Sequence, residues 1–84
     1  MAALTCNVVY RSAPCGEGLR YLIAEVKSAT AADTWTVSEL TAIKDTIGLR
    51  LDTGAEVDCT EATNVVTIGA GPATTPMMIC VSGW

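Results

Sequence analysis

Residues Ala42 to Gly69 read AIKDTIGLRLDTGAEVDCTEATNVVTIG, and this stretch decides the fold class. Its first segment places apolar side chains on one face, namely Ile43, Ile47, Leu49 and Leu51, and polar ones on the other, namely Lys44, Thr46, Arg50 and Asp52. Its second segment alternates in the same way, with Ala55, Val57 and Cys59 on one face and Glu56, Asp58 and Thr60 on the other. Because successive side chains of a strand point to opposite faces, this alternation predicts strands with one face on a core and one in water.

Two short turns separate the strands of this stretch. Asp52-Thr53-Gly54 is a hairpin signal, since glycine adopts positive φ without steric cost. Glu61-Ala62-Thr63 forms the second turn, and Asn64–Gly69 is the third strand. The stretch therefore predicts a β-meander.

The flanking sequence adds further strand patterns, at Leu4–Arg11, Leu19–Ser28 and Met77–Trp84. The segment Thr34–Leu40 starts as a short strand with Trp35 and Val37 on one face, and from Ser38 it reads as a turn or one helical turn. Leu19–Ser28 is apolar on both faces and also fits a short helix, but its β-branched residues favour a central strand covered on both sides. Residues 12–18 and 70–76 are rich in Pro and Gly and read as loops. We predict a single all-β domain over residues 1–84, an antiparallel β-sandwich or small barrel of about six or seven short strands.

Composition limits what a single copy of the chain can do. The 84 residues are 50% apolar but contain no Phe, so the core is made of small side chains and one copy has a thin stability margin. We therefore expect a homo-oligomer or a subunit docked on something larger.

The net charge is -4, and the five basic residues are scattered, which argues against nucleic acid as a partner.

From the sequence pattern we expect neither a membrane span nor a secretory signal. No window approaches the ~20 continuous apolar residues of a membrane span, and we expect no membrane partner. Met1–Thr5 contains no basic residue, so we expect synthesis in a cytoplasm without a signal peptide.

Histidine is missing, which removes the commonest general base and most metal sites. We expect no enzyme activity, no cofactor and no metal.

The four cysteines, Cys6, Cys15, Cys59 and Cys80, contain no C-x-x-C pair. Either they are small buried side chains on strands, or they form one or two disulfides after release into an oxidising medium. Cys15 lies between Pro14 and Gly16 and is the best candidate for a reactive or bridging thiol.

The segment Leu51–Val57, with Asp52-Thr53-Gly54-Ala55 inside it, resembles the active-site loop of retroviral-type aspartic proteases. That resemblance implies that Asp52 would share a proton with its counterpart in a dimer. Only thirty residues follow Gly54, and Ile68–Gly71 lacks the family's closing motif. A hairpin turn explains the same residues, so the protease is a remote alternative.

Two tryptophans differ in their surroundings. Trp35 is expected in the core, whereas Trp84 follows Ser82-Gly83 and is expected to fray or to pack against a neighbour. The set of candidate interface residues is Trp84, Met77, Met78, Ile79, Val81 and, as a helper, Trp35.

Three segments, Asp33–Leu40, Gly54–Val57 with Asn64–Gly69, and Val81–Trp84, together resemble small β-rich virion proteins of tailed phages. The resemblance implies a capsid decoration or cement protein, or another minor virion subunit. Its partners would be a major capsid protein or other virion subunits, and its location the virion. The alternative is a ligand- or host-surface-binding β module, for which the four aromatic residues provide few binding groups.

Overall fold

The computed structural model of the chain describes residues 3–12 and 18–84. Within these ranges it has eight strands, which are β1 (Asn7–Arg11), β2 (Arg20–Ala29), β3 (Thr34–Thr36), β4 (Ile43–Arg50), β5 (Glu56–Val57), β6 (Thr60–Ala62), β7 (Val65–Thr67) and β8 (Thr75–Gly83). They form a five-stranded sheet in the order β1-β2-β8-β4-β5 and a three-stranded sheet in the order β3-β7-β6. All strand pairs are antiparallel. The predicted all-β sandwich is confirmed.

The core lies between the two sheets. The five-stranded sheet contributes mainly β2 and β8, through Leu22, Ala24, Val26, Ala29, Met77, Ile79 and Val81. The five-stranded sheet also contributes Val57 of β5, and the other side contributes Trp35, Val37, Leu40, Val66 and Ile68. Trp35 and Val37 share the buried face of the β3 segment, as their spacing predicts.

Strand β8 is the centre of the larger sheet, between β2 and β4. Ile79 lies opposite Ala24 of β2 and Gly48 of β4, and all three are buried. The outer side chains Met78 and Cys80 are only half-buried. The apolar sequence of this segment fits a central strand or one covered by a partner; the strand is central, and its second face is not covered in the single chain.

Strand β2 is a strand rather than a helix, and it pairs on both edges. Its inner side chains are buried, whereas Tyr21 on the other face is 49% exposed. The expected cover on both sides is therefore not present within one copy of the chain.

A bulge in β1 redirects Tyr10. The pairing shifts between Val8, opposite Ala24, and Tyr10, opposite Ile23. Val8 packs against the core, while Tyr10 lies on the opposite face and is 54% exposed. Strict alternation would place Tyr10 on the same face as Val8, and it does not lie there because the extra residue Val9 changes the alternation. The strand is also shorter than the predicted Leu4–Arg11; before it, Ala3 makes an isolated bridge to Thr34.

A second irregularity in the strand pairing reverses which residues of β4 face the core. The pairing shifts between Ile43, opposite Gly83, and Asp45, opposite Ser82. Thr46, Gly48 and Arg50 then lie opposite the core residues Val81, Ile79 and Met77 of β8. The prediction that Ile47, Leu49 and Leu51 face the core is therefore wrong, since they point to the outer side of the sheet. A Cβ on Gly48 would lie 2.9 Å from the Cys59 sulfur and 3.0 Å from the Met77 methyl carbon, so the inner position has no room for a side chain.

The predicted meander is divided between the two sheets. Strands β4 and β5 form a hairpin, in which Gly54 has φ of 75° and donates its N–H to the Arg50 carbonyl at 2.8 Å. This confirms the predicted turn. After the two residues of β5 the chain crosses to the other sheet, where β6 and β7 form the next hairpin. The crossing is close, because a Cβ on Gly69 would overlap the Asp58 carbonyl oxygen.

Candidate functional site: the outer face of the larger sheet

The most distinctive surface is the side of the larger sheet that points away from the core. We call it the outer face and define it by Tyr10, Tyr21, Ile23, Glu25, Asp45, Ile47, Leu49, Met78, Cys80 and Ser82. The strand register aligns Tyr10, Ile23, Cys80 and Ile47 in one row across β1, β2, β8 and β4. The adjacent row is Tyr21, Ser82 and Asp45. Apolar side chains therefore cross four neighbouring strands without interruption.

A groove of about 400 Å³ lies along these two rows. Its lining is mainly apolar and includes both tyrosines, Ile23, Ile47 and Cys80. Ser12, Asp45 and Ser82 add polar groups on one side. Ser12 is fixed there because its hydroxyl accepts the Tyr21 N–H at 2.9 Å. The arrangement is a shallow apolar cleft with a polar border, which is the usual composition of a recognition surface.

The exposure of this row is unusual for large side chains. Tyr10, Tyr21 and Ile47 are 54%, 49% and 47% exposed. Single exposed apolar residues are common, but a contiguous apolar patch indicates a surface that binds something. The charges around the apolar patch have both signs, since Glu25 and Asp45 are acidic and Lys27 is basic. These charges therefore do not favour a strongly charged partner.

The interface residues chosen from the sequence fall into two groups. Met77, Ile79, Val81 and Trp35 belong to the chain's own core and offer no accessible side chain to a partner. Met78 is half-buried on the outer face, and Trp84 is 40% exposed. Of the interface residues predicted from the sequence, Met78 and Trp84 are therefore the ones that remain accessible to a partner. The structure adds the row Tyr10, Ile23, Cys80 and Ile47.

Trp84 is held by its backbone, so of the two expected outcomes, fraying or packing against a neighbour, fraying is wrong. Its N–H donates to the Ala42 carbonyl at 2.9 Å, and its carbonyl accepts the Thr41 N–H at 2.5 Å. The Thr41 hydroxyl donates to the same carbonyl at 2.8 Å. These bonds fix the end of the segment after β8 beside the start of β4, while the indole remains partly exposed.

Three cysteines lie in the described part of the chain, and none forms a disulfide. Cys6 and Cys59 are half-buried against the core, where burial raises the pKa of Cys6 to about 11 and also raises the pKa of Cys59. Cys80 lies in the outer-face row. Cys15, the expected reactive thiol, is outside the described residues.

Asp52 sits in the β4–β5 turn rather than in a cleft. The Arg50 guanidinium donates two hydrogen bonds to its carboxylate, each 3.1 Å long. This hydrogen bonding lowers the pKa of Asp52 and keeps it ionised. A catalytic aspartate pair needs one carboxyl to hold a proton, so the arginine contact favours a turn role.

A separate ion pair fastens β1 to the loop after β3. The Arg11 Nε atom lies 2.6 Å from the Glu39 carboxylate, and the Arg20 guanidinium donates to the Glu39 carbonyl at 2.6 Å. Both arginines thus hold one short loop. The hydrogen bond from Arg11 lowers the pKa of Glu39. These contacts position β1 and therefore Tyr10.

The sequence patterns showed the apolar residues that form the outer face, but they did not show on which side of the sheet these residues lie. The apolar set of β4 and the apolar second face of β2 were visible, and both were assigned to cover within the fold. No group of three metal-ligating side chains occurs among residues 3–12 and 18–84. In the same part of the chain, no helix has the length and apolar character needed to cross a bilayer.

Comparison with known proteins returned no matching family model, no matching curated protein and no matching solved structure.

Proposed function

We propose that the chain is a viral structural protein, a capsid decoration or cement protein or another minor virion subunit. In this role it stabilises a particle through protein–protein contacts made by the outer face. The observation that supports a contact role is the row Tyr10, Ile23, Cys80 and Ile47, which one copy of the chain leaves uncovered.

Burial of that row is energetically favourable. Apolar surface removed from water contributes about 25 cal/mol per Å². The chain itself has a small core without Phe, so a neighbour covering the outer face adds stability to both partners. Since the surrounding charges have mixed signs, the gain comes from apolar contact more than from charge attraction.

The virion setting comes from the sequence resemblance. Its segments map to the β3 strand with the turn that follows, the β5–β7 region, and the end of β8. The partners are a major capsid protein or other virion subunits.

The direct experiment asks whether the chain is a stoichiometric component of purified particles. Particles assembled with the wild-type chain, with Ile47→Lys and with Ala62→Lys are purified on a density gradient, and the ratio of the chain to the major coat protein is measured. Ala62 is an exposed residue of β6 in the other sheet and serves as the matched control. We expect a fixed ratio for the wild type and the control and a strong loss for Ile47→Lys. A chain absent from gradient-purified particles contradicts the proposal.

A ligand- or host-surface-binding β module is the second candidate, because two half-exposed tyrosines border the groove. Tyrosines beside polar groups can bind the apolar faces of sugars or other small ligands. Screening against a panel of surface glycans, with Tyr21→Ala as the control, tests it. Saturable binding that Tyr21→Ala removes would favour this candidate over the structural one.

A further inference from the structure

We propose that the occupant of the outer face is a second copy of this chain. The two five-stranded sheets then pack face to face around a two-fold axis that lies in the interface. This inference rests on the proposed function in one respect, since both assign the contact to the outer face. It assigns that contact to a second copy of the chain, which is then one of the virion subunits that the proposed function names as partners.

The area of the face reaches the lower limit for a specific dimer. It spans four strands, and β4 provides its length of eight residues. Strand spacing of about 4.8 Å and a rise of about 3.4 Å per residue give a face of roughly 19 by 27 Å, or about 500 Å² before side-chain relief. Two such faces remove on the order of 1,000 Å² from water, the lower bound for a specific interface.

The shape of the outer face, with its projections and its groove, suits self-association. A two-fold interface must present projections and recesses on the same patch, because each residue of one copy meets a different residue of the other. The outer face has both. Tyr10 and Tyr21 project, with about half of each side chain exposed, and the groove of about 400 Å³ lies beside them. A tyrosine of each copy can therefore enter the groove of the other.

A second copy also supplies the matching twist. Sheets that pack face to face keep their strand directions within about 30° because each sheet is twisted in the same sense. An identical sheet meets this condition automatically. No other occupant is specified by the charges around the face, where Glu25 and Asp45 are accompanied by Lys27.

Net charge gives the dimer a characteristic salt response. Each copy has a net charge of -4, so two copies repel each other at low ionic strength. Added salt screens this repulsion and leaves the apolar contact intact. We expect the dimer to tighten or stay unchanged as salt rises, whereas a contact dominated by opposite charges would weaken.

Cys80 offers a local probe at the centre of the row. Packed sheets lie about 10 Å apart, which exceeds the Cα separation that a disulfide allows. The two Cys80 thiols should therefore become protected from alkylation in the dimer without forming a disulfide. The alkylation rate of Cys80 then reports on the face itself, whereas mass reports only on the number of copies.

The test is sedimentation equilibrium of the isolated full chain between about 1 µM and about 1 mM, with Cys80 alkylation followed over the same range. We expect the mass to rise from 8.7 kDa to twice that value as Cys80 becomes protected. Ile47→Lys should weaken dimerisation at least about 30-fold, because every dimer contains the change twice. Tyr10→Lys is the second variant on the face, Ala62→Lys is the control, and circular dichroism establishes that each variant folds.

A chain that stays monomeric over the whole range overturns the inference, as does a dimer that neither face variant weakens. These outcomes are separate from failure of the proposed function. A monomeric chain that still binds particles leaves the proposed function in place, and a dimer that never enters particles leaves this inference in place.

Discussion

Two isoleucines on neighbouring strands provide a matched test of which face is covered. Ile79 of β8 is 0% exposed and lies opposite Gly48, the residue next to Ile47 of β4. Ile47 is 47% exposed on the other face. The same substitution to alanine at each position therefore removes the same atoms from a packed core in one case and from an uncovered surface in the other.

The expected costs differ by at least about 2 kcal/mol. Ile79→Ala loses transfer free energy and leaves a cavity, which together cost about 3 kcal/mol or more. Ile47→Ala loses about half of a side-chain burial, together with some strand propensity, for about 1 kcal/mol. A chain of this length has a total stability of roughly 4–13 kcal/mol, so the first change alone removes a large share of it.

Equilibrium urea unfolding at about 1 µM, where a weak dimer is dissociated, measures both values. The fluorescence of the buried Trp35 follows the transition. With a urea dependence of about 1 kcal/mol per M, the midpoints should fall by about 3 M for Ile79→Ala and about 1 M for Ile47→Ala. Equal losses of unfolding free energy for the two variants at this dilution would show that the outer face is covered within the single chain. They would refute the assignment of Ile47 to the outer face.

Three further predictions concern other parts of the fold. Gly69→Ala should lower the melting temperature by more than about 10 °C, since its Cβ overlaps the Asp58 carbonyl; an unchanged melt would contradict the close crossing. Because burial raises the pKa of Cys6 to about 11 from 9.0, its thiol should resist alkylation at pH 8, and stability should fall as pH rises from about 9 to about 11. Cys6→Ala should reduce that fall in urea titrations, and the raised pKa of Cys59 accounts for a remaining part. The hydrogen bond from Arg11 lowers the pKa of Glu39, so its contribution to stability is present above the unfolded-state pKa and lost on acidification. Glu39→Gln should remove this part of the acid dependence, and an identical acid profile would argue against the pair.

Local sequence patterns predicted the strands well where alternation is unbroken. The β7 segment, the β3 segment with Trp35 and Val37, and the turn at Gly54 follow directly from side-chain spacing and glycine chemistry. The apolar sequence of β8 left two positions open, a central strand or one covered by a partner, and the sheet order shows that it is central. These features depend on interactions between residues close in the chain.

The orientation of β4 and Tyr10 could not be predicted in the same way. A bulge adds one residue to the count, and its position is set by the pairing of distant strands. Strand β8 poses a related problem, because both of its faces are apolar. Only its neighbours decide that Ile79 points inward and Cys80 outward. The candidate site follows from those two decisions, so it was visible only once the sheets were assembled.

Hydroxyl-radical footprinting of Tyr10 and Tyr21 tests the central claim most directly. The dilute chain and the chain in its assembled form are oxidised under the same conditions, and Trp35 serves as the internal reference for a core residue. Strong labelling of both tyrosines in the dilute chain and protection of both on assembly, with Trp35 unlabelled throughout, is the result that the uncovered outer face predicts. Tyrosines that are already protected at dilution, or that label equally before and after assembly, would contradict it.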